Sequence, residues 1–414
     1  MHILLIHQAF ATLSEPGGTR HHELSRHLVA LGHRVTVLTG QVSYLTGQHT
    51  ASGWVQREVD DLGVVIWRCY SYPAWHRSFI HRMLSFFSFM ISSLVNGIRV
   101  REIDLVWGTS PPMFQGLTAW LLARLKRARF LFEVRDLWPF FAVAVGVLRQ
   151  PLLIRLSEWL ERFLYQKADH VVVNSPGYVE HVRMRGARAV DLIPNGVDVS
   201  MFDPHADGES FRRAYGLEGK FVVLYAGAHG MSNDLEVVLS AAERLSDHPE
   251  VVFAFVGDGK EKLNLIARSE TMALQNVCFL PPVAKAEMPE VLAAADVCVA
   301  ILKPVEAYKT TYPNKVFDYM AAGRAVVLAV DGVIREVVED AGAGVFVPPG
   351  DSEALATAVY RLVSDPEEGK RMGMAGRAYV TQHFNRPELA GKMGRVMEAV
   401  HRAGVKQGEG TVVS

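Results

Sequence analysis

Reactive side chains in this sequence gather where apolar runs end. The fullest gathering is Glu306-Ala307-Tyr308-Lys309-Thr310-Thr311-Tyr312-Pro313-Asn314-Lys315-Val316-Phe317-Asp318, which follows the run Val297 to Leu302 and leads into a helix beginning near Pro313. A helix start leaves backbone N–H groups unpaired and lysines add cationic charge, so Lys309, Thr310, Asn314 and Lys315 suit a diphosphate. Asp318, in the second turn of that helix, suits the paired hydroxyls of a ribose. A solvated loop with a surface aspartate is the plainer alternative. The second gathering, Phe132-Glu133-Val134-Arg135-Asp136-Leu137-Trp138-Pro139, places two carboxylates, a guanidinium and an indole at a strand end, where a doubly wound sheet carries its chemistry. A structural ion pair of Arg135 with Asp136 or Glu133 is the alternative there, and Ser110-Pro111-Pro112 shapes the neighbouring loop.

Three glycine turns add anion-binding candidates: Pro16-Gly17-Gly18-Thr19 opening a helix, Tyr225-Ala226-Gly227-Ala228-His229-Gly230 leaving a strand, and Val256-Gly257-Asp258-Gly259 one unit later. Each also reads as a tight turn. The first strand lacks the G-x-G-x-x-G fingerprint and no Walker A sequence occurs, which disfavours NAD and ATP. His21-His22-Glu23-Leu24-Ser25-Arg26-His27 has one residue too many between Glu23 and His27 for a zincin, so a solvated helix face is expected for these histidines. The three cysteines, Cys69, Cys278 and Cys298, show no metal spacing and read as buried small hydrophobes in a reducing compartment.

Positioning these residues requires alternating elements. The chain has 414 residues, 49 % hydrophobic and 21 % charged, a globular composition long enough for two to three domains. Met-His-Ile-Leu-Leu-Ile-His lacks the features of a signal peptide and reads as a first buried strand. A helix from about Gly18 to Leu31 and the run Val35 to Leu38 complete one βαβ unit, and further runs at Val64 to Cys69, Leu105 to Gly108, Phe130 to Val134 and Val171 to Asn174 extend it. The pattern restarts with strands Phe221 to Ala226, Val251 to Val256, Val277 to Leu280, Val297 to Leu302 and Ala325 to Ala329, separated by helices. Two doubly wound α/β sheets follow, with a ligand cleft between the carboxyl ends of their strands. The expected division is residues 1–200, residues 201–385, and a closing segment 386–414 whose helix packs back on the first domain and whose tail is frayed.

Charge is uneven: the first 200 residues carry 21 Lys and Arg against 15 Asp and Glu, and the remainder 22 against 29. Phe79 to Arg101, flanked by Arg77, contains no acidic residue, and its uncharged stretch Met83 to Ile98 is too short to cross a bilayer. It suits either an interfacial helix or a core helix.

With these motifs in hand, the sequence resembles a retaining glycosyltransferase of family 4, with GT-B architecture of two facing Rossmann-like domains and a deep interdomain cleft. The resemblance rests on Gly17-Gly18 followed by Leu31-Gly32-His33-Arg34-Val35-Thr36-Val37-Leu38-Thr39, on Val173-Asn174-Ser175, and on Ile193-Pro194-Asn195-Gly196-Val197-Asp198 with Phe202. It continues in Tyr225-Ala226-Gly227, Val256-Gly257-Asp258-Gly259 and Phe317-Asp318-Tyr319-Met320-Ala321-Ala322-Gly323. Arg135-Asp136-Leu137-Trp138-Pro139 and Pro313-Asn314-Lys315 with Tyr319 are similar to the branch that builds bacterial O-antigens, capsules and exopolysaccharides, which includes fucosamine transferases.

The resemblance implies sugar transfer from a nucleotide donor, usually UDP-linked, with no cofactor and no metal. It places the donor on the second domain and the acceptor on the first. By motif, Gly17, Gly18, Gly227, His229, Gly257, Gly259, Lys309, Thr310, Asn314, Lys315 and Asp318 fall on the donor side, Glu133 and Trp138 on the acceptor side, and Asp136, Arg135 and Lys315 at the reaction. Three departures stand out. The family's paired glutamates fall on Thr310 and Asp318; its Arg and Lys are absent from Gly227 to Asn233; and its first-domain histidine falls on Arg135. A polyprenyl-diphosphate-linked or saccharide acceptor at the inner face of the cytoplasmic membrane is expected, with no nucleic-acid partner. The alternatives are a sugar-nucleotide epimerase of the same architecture and a non-catalytic partner that keeps the fold.

Overall fold

The computed structural model describes residues 1–43, 45–74 and 79–409, which divide into two compact units. Residues 1–11, 18–194 and 387–409 form the first, and residues 12–17 and 195–386 the second. The chain thus leaves the first unit after Pro194, and Thr12–Gly17 groups with the second. The closing helix, Arg386–Glu409, belongs almost entirely to the first unit because Leu389, Ala390, Met393 and Met397 pack with Ile3 and Leu5. Arg77 and the tail beyond residue 409 lie outside the described residues.

The first sheet contains β1 (His2–Ile6), β2 (Arg34–Gly40), β3 (Val55–Val59), β4 (Val65–Cys69), β5 (Leu105–Ser110), β6 (Arg129–Val134), β7 (His170–Val173) and β8 (Val190–Leu192). Their order is β3-β4-β2-β1-β5-β6-β7-β8, parallel except for the antiparallel edge strand β3. Near-continuous apolar runs suit strands covered on both faces. Successive residues of β1 accordingly serve different cores: Leu4 and Ile6 join helices Phe79–Arg99, Met113–Lys126 and Pro151–Lys167, while Ile3 and Leu5 join Arg20–Ala30 and the closing helix.

The second sheet holds β9 (Phe221–Ala226), β10 (Val251–Val256), β11 (Val277–Leu280), β12 (Val297–Ile301), β13 (Ala325–Ala329) and β14 (Gly344–Phe346), all parallel, in the order β11-β10-β9-β12-β13-β14. Strand order reverses between β1 and β5 in one sheet and between β9 and β12 in the other. Open parallel sheets bind ligands at the carboxyl ends beside such reversals. The register pairs Ala226 with Val256, so Gly227 and Gly257 leave their strands side by side. No helix of the described residues is long and apolar enough to cross a membrane.

Candidate functional site

At the carboxyl end of β9, the helix Asn314–Ala321 clasps the strand. The Tyr319 hydroxyl accepts the Ala226 N–H at 2.9 Å and donates to the Ala226 carbonyl at 3.1 Å. Tyr225 donates to the Ala228 carbonyl at 2.7 Å, which shapes the next turn. The Gly227 N–H continues the ladder to Val256 at 2.9 Å, and His229 N–H reaches the Asp258 carbonyl at 2.8 Å. Backbone meets backbone here: a Cβ on Gly257 would stand 1.9 Å from the Gly227 carbonyl oxygen, and one on Gly259 2.5 Å from that of His229. With φ near +146° and +155°, both positions demand glycine.

Lys315, in the first turn of the same helix, points its ammonium into this junction. Its Nζ lies 3.7 Å from the Tyr225 ring centre and would be 3.2 Å from a Cβ on Gly227. That atom is buried and has no hydrogen-bond partner among the described residues, and burial pushes the ammonium down to about 7. His229 is fully buried with neither ring nitrogen partnered among the described residues. Burial, helped by the Lys262 and Lys315 charges, lowers its imidazole to about 3 and keeps it neutral. Lys262 Nζ donates to the Gly257 and Leu280 carbonyls at 2.7 and 2.9 Å. The junction therefore concentrates nitrogen donors and positive charge where two backbone turns leave room for a close approach, which is what a diphosphate requires.

One turn along the helix, Asp318 receives Lys285 Nζ at 2.6 Å. Sequence reasoning missed Lys285, which lies in the loop after β11; its only signal is a lysine in a turn following a strand. The other donor-side candidates are placed differently. Lys309, half-exposed, pairs with Glu306 at 2.9 Å and Asp331 at 3.7 Å, away from Lys315's contacts. Thr310 donates to the Ala307 carbonyl at 2.7 Å, and Asn314 is exposed. Gly17 groups with the second unit and Gly18 with the first, while the Thr19 hydroxyl donates to Glu23 at 2.6 Å.

In the first unit, Glu133 ends β6 inside the protein with no exposed surface. Its Oε1 accepts Arg20 Nε at 2.8 Å, and its Oε2 lies 2.8 Å from His21 Nε2 and 3.0 Å from Trp107 Nε1. These partners hold the carboxyl well below the usual carboxylate range despite burial. Glu133 was expected to bind acceptor; its carboxylate is instead enclosed as a structural hub. Arg20 also donates to the carbonyls of Ile193 and Pro194, both at 2.7 Å. The expectation of solvated histidines is likewise corrected. His21 and His22 are buried because their helix face packs on the sheet, and His22 Nε2 lies 3.0 Å from Asp60.

Beyond Glu133 the chain emerges. Arg135 donates to the Ser110 and Pro111 carbonyls at 2.8 and 3.3 Å, so the proline turn anchors it. Asp136 is half-buried, and burial pushes its carboxyl up to about 6 against the opposing pull of Arg135. Trp138 is partly buried against the core. His7, a residue sequence reasoning passed over, follows β1 directly and is fully buried beside the strand reversal. Its ring lies 4.3 Å from His21, its Nδ1 is 3.3 Å from Thr109 Oγ1, and its Nε2 has no partner among the described residues. Burial first, then the Arg135 charge, holds it well below the usual imidazole range. Among the described residues, no three or more His, Cys, Asp or Glu side chains gather as a metal set.

Residues 17–196 match the family described as Glycosyl transferase 4-like domain, and residues 220–365 match the family described as Glycosyl transferases group 1. The chain is 27 % identical over 360 residues to the Escherichia coli K12 glycosyl transferase WcaI, named for colanic acid biosynthesis; the match spans 83 % of this chain and 88 % of that protein. In fold it is similar to sucrose-phosphate synthase from Thermosynechococcus elongatus, with a TM-score of 0.77 at 21 % identity, over 97 % of this chain and 99 % of that one. It is also similar to Anabaena HepE solved with UDP-glucose, with a TM-score of 0.71 at 17 % identity, over 96 % of this chain and all of that one. The GT-B architecture expected from the sequence, with two Rossmann-like parallel-sheet domains, is the one these structures share.

Proposed function

This chain belongs to the glycosyltransferases whose two domains its units match, and we propose that it transfers a sugar, with retained anomeric configuration, from a UDP-sugar to a lipid-linked or saccharide acceptor in bacterial surface polysaccharide biosynthesis. The observation that carries the reading is the Lys315 ammonium, buried and without a hydrogen-bond partner among the described residues where the Gly227 and Gly257 turns meet. As the bond from the sugar to the β-phosphate breaks, negative charge develops on the leaving oxygen. A desolvated cation aimed at that charge lowers the barrier by about 3 to 4 kcal/mol, or 10² to 10³ in rate. The acceptor oxygen bonds to the same sugar carbon while its proton passes to the departing phosphate, so atoms and charge balance without a further reactant.

Asp318 supports a ribose site, with Lys285 balancing its charge while the carboxylate keeps its capacity to accept hydroxyls. In the first unit, Asp136 beside Arg135 is the group we assign to orienting the acceptor hydroxyl. UDP as the nucleotide is supported by the complex of the similarly folded HepE. A polysaccharide setting is supported by the WcaI match, and a membrane-borne acceptor by the basic excess of the first 200 residues, with the enzyme working peripherally at the inner face of the cytoplasmic membrane.

Thermal denaturation with UDP, GDP, ADP and dTDP tests the donor assignment, since a ligand held only by the folded state raises its stability. UDP alone is expected to raise the melting temperature, and Lys315→Ala to remove that shift. No shift with any nucleotide would leave a non-catalytic partner as the reading of this fold. Interconversion of UDP-sugars without acceptor would leave an epimerase.

A further inference from the structure

The helix Phe79–Arg99 buries Phe89 in the core, yet it also turns an apolar stripe outward. Ile80, Leu84, Phe87, Ile91, Val95 and Ile98 are 38–68 % exposed, whereas Ser92, Ser93 and Asn96 have no exposed surface. At 3.6 residues per turn the six apolar residues fall within an arc of about 80°. The buried polar groups are satisfied: Ser92 donates to the Tyr70 carbonyl at 2.6 Å, Ser93 to Phe89 at 2.6 Å, and Asn96 to Ser92 at 2.9 Å. Burial of the serines therefore does not require a water-facing polar side elsewhere on this helix. An ordinary surface helix hides its apolar stripe; this one presents it.

The surroundings continue the pattern. Helix Pro151–Lys167 exposes Leu152, Leu156 and Trp159 on the same side of the sheet. Helix Met113–Lys126 lies between the two, linked by Phe87–Phe114 at 5.0 Å and Trp120–Phe163 at 4.8 Å between ring centres. No Asp or Glu occurs from Phe79 to Arg101, from Leu105 to Phe132, or from Leu137 to Ser157. Exposed arginines do: Arg82, Arg99, Arg101, Arg124, Arg149 and Arg155. Both flanking helices return from the carboxyl edge of the sheet to its amino edge, so their first turns lie at the edge that carries Asp136.

We infer that this face seats on an anionic lipid surface, with helix Phe79–Arg99 lying in the plane of the interface and the arginines meeting the headgroups. A contiguous apolar stripe amid unbalanced cationic charge matches that surface in both of its components, hydrocarbon and negative charge. The purpose of the contact rests on the lipid-linked acceptor proposed above: the bilayer would deliver the acceptor's head to the edge that carries Asp136.

Flotation of the full chain with vesicles of phosphatidylcholine, with and without phosphatidylglycerol, tests the surface separately from transfer. The wild type is expected to float with the anionic vesicles and far less with the neutral ones. Ile80→Ser combined with Ile91→Asp, both at exposed positions, should weaken flotation at least about tenfold, with an unchanged melting temperature and an unchanged UDP-induced shift. Equal flotation of that variant, or no flotation of the wild type, overturns the inference. So does a wild-type dimer that Ile91→Asp converts to monomer, which would give the stripe to a second copy of the chain. Failure of the donor reading would instead remove the UDP shift and leave flotation intact.

Discussion

Nucleotide-sugar binding should lose strength as pH rises above 7, and the cause is one ammonium. Lys315 sits at about 7 in the free protein because burial disfavours its charge and no hydrogen-bond acceptor among the described residues meets its Nζ. About half of the molecules carry the cation at pH 7 and about one in a hundred at pH 9. If the diphosphate binds the charged form, affinity falls about 50-fold across that interval, and binding at pH 8 takes up close to one proton. The neighbouring tyrosines and histidine leave this window clear. Burial drives the Tyr225 and Tyr319 hydroxyls far above it, and His229 lies near 3. Lys262, also lowered by burial, donates to the Gly257 and Leu280 carbonyls, and any slope it caused would persist in Lys315→Arg. Titration calorimetry with a UDP-sugar, whose diphosphate does not ionise in this range, reads both quantities when repeated in buffers of different ionisation enthalpy. Lys315→Arg keeps its charge throughout, so its profile should be flat. A flat wild-type profile from pH 7 to 9, or an identical slope in Lys315→Arg, would refute the argument.

Asp136→Asn should lower turnover by about 10² or more while leaving nucleotide affinity within twofold; because the carboxyl lies near 6, wild-type turnover should also fall below pH 6, a limb the variant lacks. Loss of UDP affinity in Asp136→Asn would move this residue to the donor. Gly257→Ala should cost about 2 kcal/mol or more and abolish the UDP-induced thermal shift, because its Cβ would collide with the Gly227 carbonyl. Gly18→Ala, with no atom within 4 Å of the added carbon, should leave stability unchanged; equal effects would deny the junction its close packing. Acid should weaken the fold early. His7, His21 and His229 are all held below 6.5, so the unfolded chain takes up their protons first, and stability present above pH 6.5 is lost as pH falls, by about 1.4 kcal/mol per unit per histidine. Glu133, depressed by its partners, adds a further loss below its unfolded value near pH 4.3. Urea midpoints that match at pH 7 and pH 5 would contradict this.

Long apolar runs made the sheets readable: the span Phe221 to Ala226 is both the run and the strand. The edge strands β3, β8 and β14 escaped notice because their half-exposed residues, such as Val-Gln-Arg-Glu-Val, lack such a run. Local chemistry also singled out Lys315 and the glycine turns, because a lysine at a helix start and a glycine after a strand are recognisable in sequence; the meeting of Lys315 with Tyr225 and Gly227 was not. Partnerships across the fold did not show. Glu133 looked available beside Arg135, yet its partners come from positions 20, 21 and 107, and no spacing rule links those to 133. The polarity of helix Phe79–Arg99 was visible in composition, but which face met water depended on the sheet beneath it.

A small parallel bridge near the boundary has consequences for how such proteins diversify. Val197 pairs with Asn385, Val197 N–H reaches the Phe384 carbonyl at 3.0 Å, and Arg386 N–H returns to the Val197 carbonyl at 2.9 Å. The segment 195–386 therefore begins and ends at one point, as an inserted domain does, and closely spaced ends make an insertion exchangeable. Recombination at two adjacent splice sites would exchange this domain while the first sheet stays intact, its closing helix still supplied by the residues after 386. Only Thr12–Gly17 would remain from the original partner, so that short loop is where a newly imported domain would first have to be accommodated.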